Sequence, residues 1–202
     1  MKPFSRKETI AVTLIVLFVA SITFFNLNIS IRRARDAQRK ADLGAISDAL
    51  HKYFDDFGFF PPASEGKIVA CKGANFETKL EGLKKEAVFD RSKFFEILAP
   101  CGWGKDSLRD VTDEAYAPYL INLPQDPQAN GGITYLYLSN TKRFQLYTYL
   151  EGKESEDGYS PGMVGRNLEC GKNYICSFGK SFGETPLDKS IEKYEQILLE
   201  KM

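Results

Sequence analysis

Four cysteines, one histidine and two groups of carboxylates are the residues whose chemistry could matter most. Cys71, Cys101, Cys170 and Cys176 lie beyond residue 31 and none forms a Cys-x-x-Cys pair, so the usual zinc spacing is absent. An even number in a chain with an export signal reads as two disulfides, with three pairings open. The short loop favours Cys170–Cys176, which leaves Cys71–Cys101. The competing reading is four reduced thiols in a cytosolic head. His51 has no cysteine or second histidine near it in sequence, so it reads as a helix-surface residue. Asp106, Asp110 and Asp113 lack the glycine and the twelfth-position glutamate of a calcium loop and read as a solvated acidic face. Glu154, Glu156 and Asp157 form a second acidic group, with hydration favoured and calcium the minority reading. No cofactor is expected.

Catalytic motifs are missing as well. The chain has no Gly-x-Ser-x-Gly, no His-Glu-x-x-His, no P-loop and no Cys–His pairing. It is therefore expected not to be an enzyme. A hydrolase built from scattered carboxylates is the residual catalytic alternative. The 27 basic and 27 acidic residues cancel, so nothing points to a nucleic-acid partner.

The element that must position these residues is one run from Thr9 to Phe57, whose only glycine is Gly44 and which contains no proline. Residues 9–31 are uncharged. About 23 residues at 1.5 Å each span roughly 34 Å, enough to cross a bilayer core. Thr13, Ser21 and Thr23 can return hydrogen bonds to their own helix. A cleaved secretory signal fits poorly, because the apolar region is too long and Phe18 before Ala20 breaks the small-x-small pattern. From Arg32 to Phe57 the run turns amphipathic: Leu43, Ile46, Leu50, Tyr53 and Phe57 step by three and four along one face. Asp36 is spaced to pair with Arg32 and Lys40. The basic cluster around it reads as a stop-transfer flank. Gly58 and Pro61-Pro62 end the helix.

The rest reads as a folded head. Ile68–Cys71 suggests a short strand. Residues 90–99 suggest a helix begun by Asp90, with Phe94, Phe95 and Leu98 inward and Pro100 ending it. Trp103, between two glycines, packs on the disulfide or is an exposed contact. Residues 133–138 and 144–150 read as an antiparallel hairpin, with Phe144, Leu146, Thr148 and Leu150 turned toward the Leu43–Phe57 stripe. Residues 151–186 read as loops. A last helix is expected to start at Thr185-Pro186, with Ile191, Tyr194, Ile197 and Leu198 docking on the head.

Three pieces together resemble the type IV pilin and type II secretion pseudopilin superfamily: the apolar helix running into Arg33-Ala34-Arg35-Asp36-Ala37-Gln38-Arg39-Lys40, the exit Tyr53-Phe54-Asp55-Asp56-Phe57-Gly58-Phe59-Phe60-Pro61, and Leu123-Pro124-Gln125-Asp126-Pro127 ahead of Tyr135-x-Tyr137. The resemblance implies an α+β, type IV pilin-like fold: a long N-terminal helix, half transmembrane and half amphipathic, packed on a small antiparallel sheet. With the last helix added, the expected division is a cytoplasmic tail 1–8, a transmembrane helix 9–31, and an exported head 32–202 that includes the outer half of the helix, 32–57. The resemblance also implies polymerisation through the apolar helices, with Phe4 matching the first mature residue and Glu8 the assembly glutamate. Pro3 stands where the family has glycine, and Ser5-Arg6-Lys7 replaces an apolar triplet. Arg32, Arg33, Arg35, Arg39 and Lys40 outnumber Lys2, Arg6 and Lys7, so charge alone places the head in the cytoplasm. The cysteines and the resemblance place it outside, and we follow them. The expected function is that of a non-catalytic, single-pass structural subunit of the inner membrane in a pilus or type II secretion-type system. Its partners would be the lipid bilayer and other pilin-like subunits. The alternative is an uncleaved, anchored exported domain that binds a partner without polymerising.

Overall fold

Residues 6–57 wind into one helix, and that helix organises everything else. The computed structural model describes residues 5–86, 88–152 and 158–201. Helix α1, Arg6–Phe57, is 52 residues long. Ser5 caps it in a reciprocal capping box with Glu8. Gly58 stops it with φ +72°, a left-handed conformation that glycine adopts without strain, and its N–H donates to the Phe54 carbonyl. The Thr13, Ser21 and Thr23 hydroxyls each donate to the carbonyl four residues earlier at 2.9 Å. The first part of α1 is apolar and long enough to cross a membrane.

The outer part of α1 carries the stripe read from the sequence. Leu43, Ile46, Leu50 and Tyr53 are buried, and Phe57 is half-buried against them. Two three-stranded antiparallel sheets stand where a single sheet was expected. The first orders β1 (Ala63–Ser64), β2 (Lys67–Lys72) and β3 (Leu98–Pro100); the second orders β4 (Leu136–Ser139), β5 (Phe144–Thr148) and β6 (Phe178–Ser181). One backbone bond, from the Tyr137 N–H to the Gly66 carbonyl at 2.8 Å, joins them. Phe144 and Leu146 of β5 pack on the α1 stripe. The other face of β5 is covered too: Tyr147 packs with Met163, Cys170 and Cys176 in a second core. Helices α2 (Phe76–Lys84), α3 (Arg91–Glu96), α4 (Pro161–Val164) and α5 (Ile191–Glu200) complete the head.

Three expectations need correction. The helix foreseen over residues 90–99 is capped by Asp90 as expected but stops at Glu96. Leu98–Pro100 then pairs with β2, so strand pairing wins over the helical spacing of Phe94 and Leu98. Residues 151–186 are not all loop. Phe178–Ser181 pairs with Gln145–Thr148, and four residues including Gly179 carry too little pattern to reveal a strand without its partner. The last helix starts later than Thr185. Its cap is Ser190, whose hydroxyl accepts the Lys193 N–H at 3.2 Å. The buried Gln145 amide donates to the Pro186 and Lys189 carbonyls at 2.5 and 2.8 Å, which holds that segment out of a helix. Of the apolar face foreseen on α5, Ile191 is buried while Tyr194, Ile197 and Leu198 are half-buried.

Candidate functional site

The stripe on α1 does not begin at Leu43. Extended backward by four and three residues it reaches Arg39 and Asp36, and both are buried. The basic cluster read as a stop-transfer flank is thus partly interior. Arg39, 0 % exposed, uses every donor of its guanidinium. Nε and Nη2 grip Asp126 at 2.8 and 3.1 Å, Nη1 reaches Asp36 and Glu151 at 2.8 Å each, and Nη2 also donates to the Gln128 amide oxygen at 2.9 Å. One turn earlier, Arg35 holds Glu151 bidentately at 2.7 and 2.5 Å. Arg32 adds a bond to the Glu151 carbonyl at 3.3 Å.

Asp36 was expected to pair with Arg32 and Lys40. It accepts instead from Arg39 and from the backbone N–H groups of Glu151 and Gly152, both at 2.9 Å. The chain leaving β5 is therefore stitched to α1 at one carboxylate. The Leu-Pro-x-Asp-Pro turn is stitched to it at another, because Asp126 also caps the Gln128 N–H at 2.7 Å. Three carboxylates, two guanidiniums and an amide thus clamp two loops to one helix face. One turn beyond, Tyr135 donates to Asp42 at 2.6 Å.

Electrostatics follow the contacts. Burial by itself would lower the Arg39 pKa, but the hydrogen bonds to Asp126, Glu151 and Asp36 carry it above the ordinary guanidinium value. Hydrogen bonding from Arg35 first, and from Arg39 after it, holds the Glu151 carboxyl below its ordinary value despite burial. Asp42 moves the other way, raised mainly by burial. Such a clamp fixes geometry. Every guanidinium donor of Arg39 is taken up by an acceptor within it.

The other singled-out residues lie elsewhere. The sulfurs join as Cys71–Cys101 and Cys170–Cys176: the first bridge lines the large core and the second the small one. His51 is half-buried rather than on the open surface. Its Nδ1 lies 2.7 Å from the Ser47 carbonyl, and its ring packs among Phe60, Phe144 and Phe182. Asp106, Asp110 and Asp113 are not a simple acidic face: each accepts a backbone N–H, from Gly102, Thr112 and Ala115. Trp103 is half-buried, its ring perpendicular to that of Tyr135 at 5.8 Å. Glu8 is engaged at its own helix terminus, with Oε2 accepting the Ser5 N–H at 2.7 Å. Phe4, Glu154, Glu156 and Asp157 lie outside the described residues. Among the described residues no group of three or more His, Cys, Asp or Glu side chains is placed to hold a metal ion.

Sequence reading missed the clamp. The signal was present in the spacing 36, 39, 43, 46, 50, 53, which puts Asp36 and Arg39 in line with the apolar stripe. Comparison with known proteins adds no guide: no family model, no curated protein and no solved structure matches the chain.

Proposed function

We propose that the chain is a non-catalytic, membrane-anchored structural subunit of pilin-like type, with its head outside the cytoplasm. The observation that carries this reading is the division of α1. Its outer half is locked into the head by the apolar stripe and the Arg39 clamp, while the large apolar side chains described on its inner half, Ile10 to Ile31, are exposed. A rigid rod with a fixed head and a bare apolar stem suits a subunit that sits in lipid and packs against the stems of its neighbours. The two disulfides favour an oxidising compartment for the head, against the charge bias around the span.

A second reading has its own support. The Ser5–Glu8 capping box gives Glu8 a local role, and a polar Ser5-Arg6-Lys7 start suits an anchor that is never cut. Intact mass of the chain from native membranes separates the two, read beside a surface-shear fraction. A mass starting at Phe4 with one added methyl, and release with sheared filaments, are expected for the assembling subunit. A retained N-terminus and full retention in the membrane would sink assembly and leave an anchored partner-binding domain. Four free thiols in the unreduced chain would overturn the outward orientation.

A further inference from the structure

A cleft of about 390 Å³ opens beside the Asp126 turn, lined by residues outside the Arg39 clamp except for Asp126 itself. Its size falls in the ordinary range for small-ligand sites. Trp103, the only tryptophan of the chain, lines it. Around the indole stand Lys67, Lys105, Gln125 and Thr134, brought from four separate segments. Among the described residues neither lysine ammonium has a hydrogen-bond or ion-pair partner. Two lysines without a described partner and an indole lining one cleft suit an anion that also has an apolar face.

The walls are rigid. Cys101 is tied to Cys71, the Gly104 N–H donates to the Leu123 carbonyl at 2.6 Å, and Asp126 is gripped by Arg39. Gly104 has φ +73°, and a Cβ there would strike the Gln125 side chain, so glycine lets that amide lie across the rim. Part of the cleft's backbone is already committed: the N–H groups of Gly102, Gly104, Gly132 and Thr134 donate to Asp106, Leu123, Ala129 and Cys170. An extended peptide adds to a site through free backbone groups, and these four are taken. The side chains on offer are an indole, two ammonium groups, an amide and a hydroxyl. A pyranose with a carboxylate matches that set, its C–H face on the indole, its acid on the lysines and its hydroxyls on Gln125 and Thr134.

We propose that the Trp103–Lys67–Lys105 cleft binds an acidic saccharide unit. This assignment holds whether or not the chain assembles, so its test is separate from the mass and shear measurements. Because Trp103 is the sole tryptophan, its fluorescence reports the cleft directly. The full chain in detergent micelles is titrated with tri-galacturonate, maltotriose and tri-glutamate. The expected result is a saturable change with tri-galacturonate, weakened by salt, and at least tenfold weaker responses to the other two. The double variant Lys67→Gln/Lys105→Gln, checked for an unchanged circular-dichroism spectrum, is expected to bind tri-galacturonate about tenfold more weakly. Equal binding of maltotriose would overturn the anionic requirement, and equal binding of tri-glutamate would overturn the saccharide. No saturable change, or an unaltered affinity in the double variant, would overturn the site.

Discussion

The two halves of α1 are continuous in backbone and opposite in circumstance. Leu14 is 62 % exposed and Leu50 is 0 % exposed, although both are leucines in the same helix. The inner half is apolar all round, and its described residues are not buried by the head, as suits a helix apolar enough to cross a membrane. The outer half is apolar along one stripe, and that stripe is continued by an ionic clamp toward the N-terminal end of the helix. Neither disulfide has a cysteine on α1, so the attachment of head to stem is noncovalent apart from the chain itself. What the difference teaches is that the point where the stripe gives way to Asp36 and Arg39 is where this helix changes from stem to scaffold. Specific charge pairing sits there, with Arg39 fully buried and Arg35 and Glu151 partly exposed.

The comparison can be broken most severely at Arg39. Removing it strands Asp126 as a buried, uncompensated charge, so Arg39→Ala is expected to destabilise the head by about 3–5 kcal/mol in chemical denaturation. Arg39→Lys is expected to fail as a substitute, because an ammonium cannot reproduce the forked contacts to Asp126. A loss under about 1 kcal/mol would mean the clamp is ornamental to stability. Next comes the direct pairing of the halves. Leu50→Ala is expected to cost about 2–5 kcal/mol, and Leu14→Ala to leave head stability within about 0.5 kcal/mol. Equal effects would remove the distinction between stem and scaffold.

The disulfides sharpen the contrast further. Chain entropy assigns about 3.5 kcal/mol to the Cys71–Cys101 bridge, with its separation of 30 residues, and about 2 kcal/mol to Cys170–Cys176, with 6. Paired alanine variants are expected to follow that order in thermal melts. Hydrogen exchange across residues 40–53 should change less than exchange in β2 and β3, because the α1 attachment does not run through either bridge. The smallest effect is on pH. The Glu151 pKa is depressed in the fold, so its contribution is present above the ordinary glutamate value of 4.5 and is lost as pH falls through the folded value. Asp42 has the opposite sign, its contribution fading as pH rises through its raised value. Acid melts of the intact chain against Arg35→Gln should show the variant unfolding at higher pH. Coincident acid limbs would remove Arg35 as the main cause of the Glu151 depression.

Much of this architecture was legible before any coordinates. The apolar run, the amphipathic step and Gly58 were local signals, and local signals suffice for a helix because its hydrogen bonds close within the segment. The β4–β5 hairpin was legible for the same reason, only residues 140–143 lying between its two strands. Strands β3 and β6 were not, because each is defined by a partner more than 25 positions away in the chain. Asp126 and Glu151 were ordinary turn and loop residues in sequence. They became interior charges only when the fold carried them 87 and 112 residues back to Arg39. The sequence by itself determined the stem, its length, the buried face of the scaffold and where the helix stops. Tertiary structure alone decided which charges are buried, how the loops are held and where Trp103 opens a cleft, because those depend on desolvation and pairing between segments that sequence spacing does not bring together.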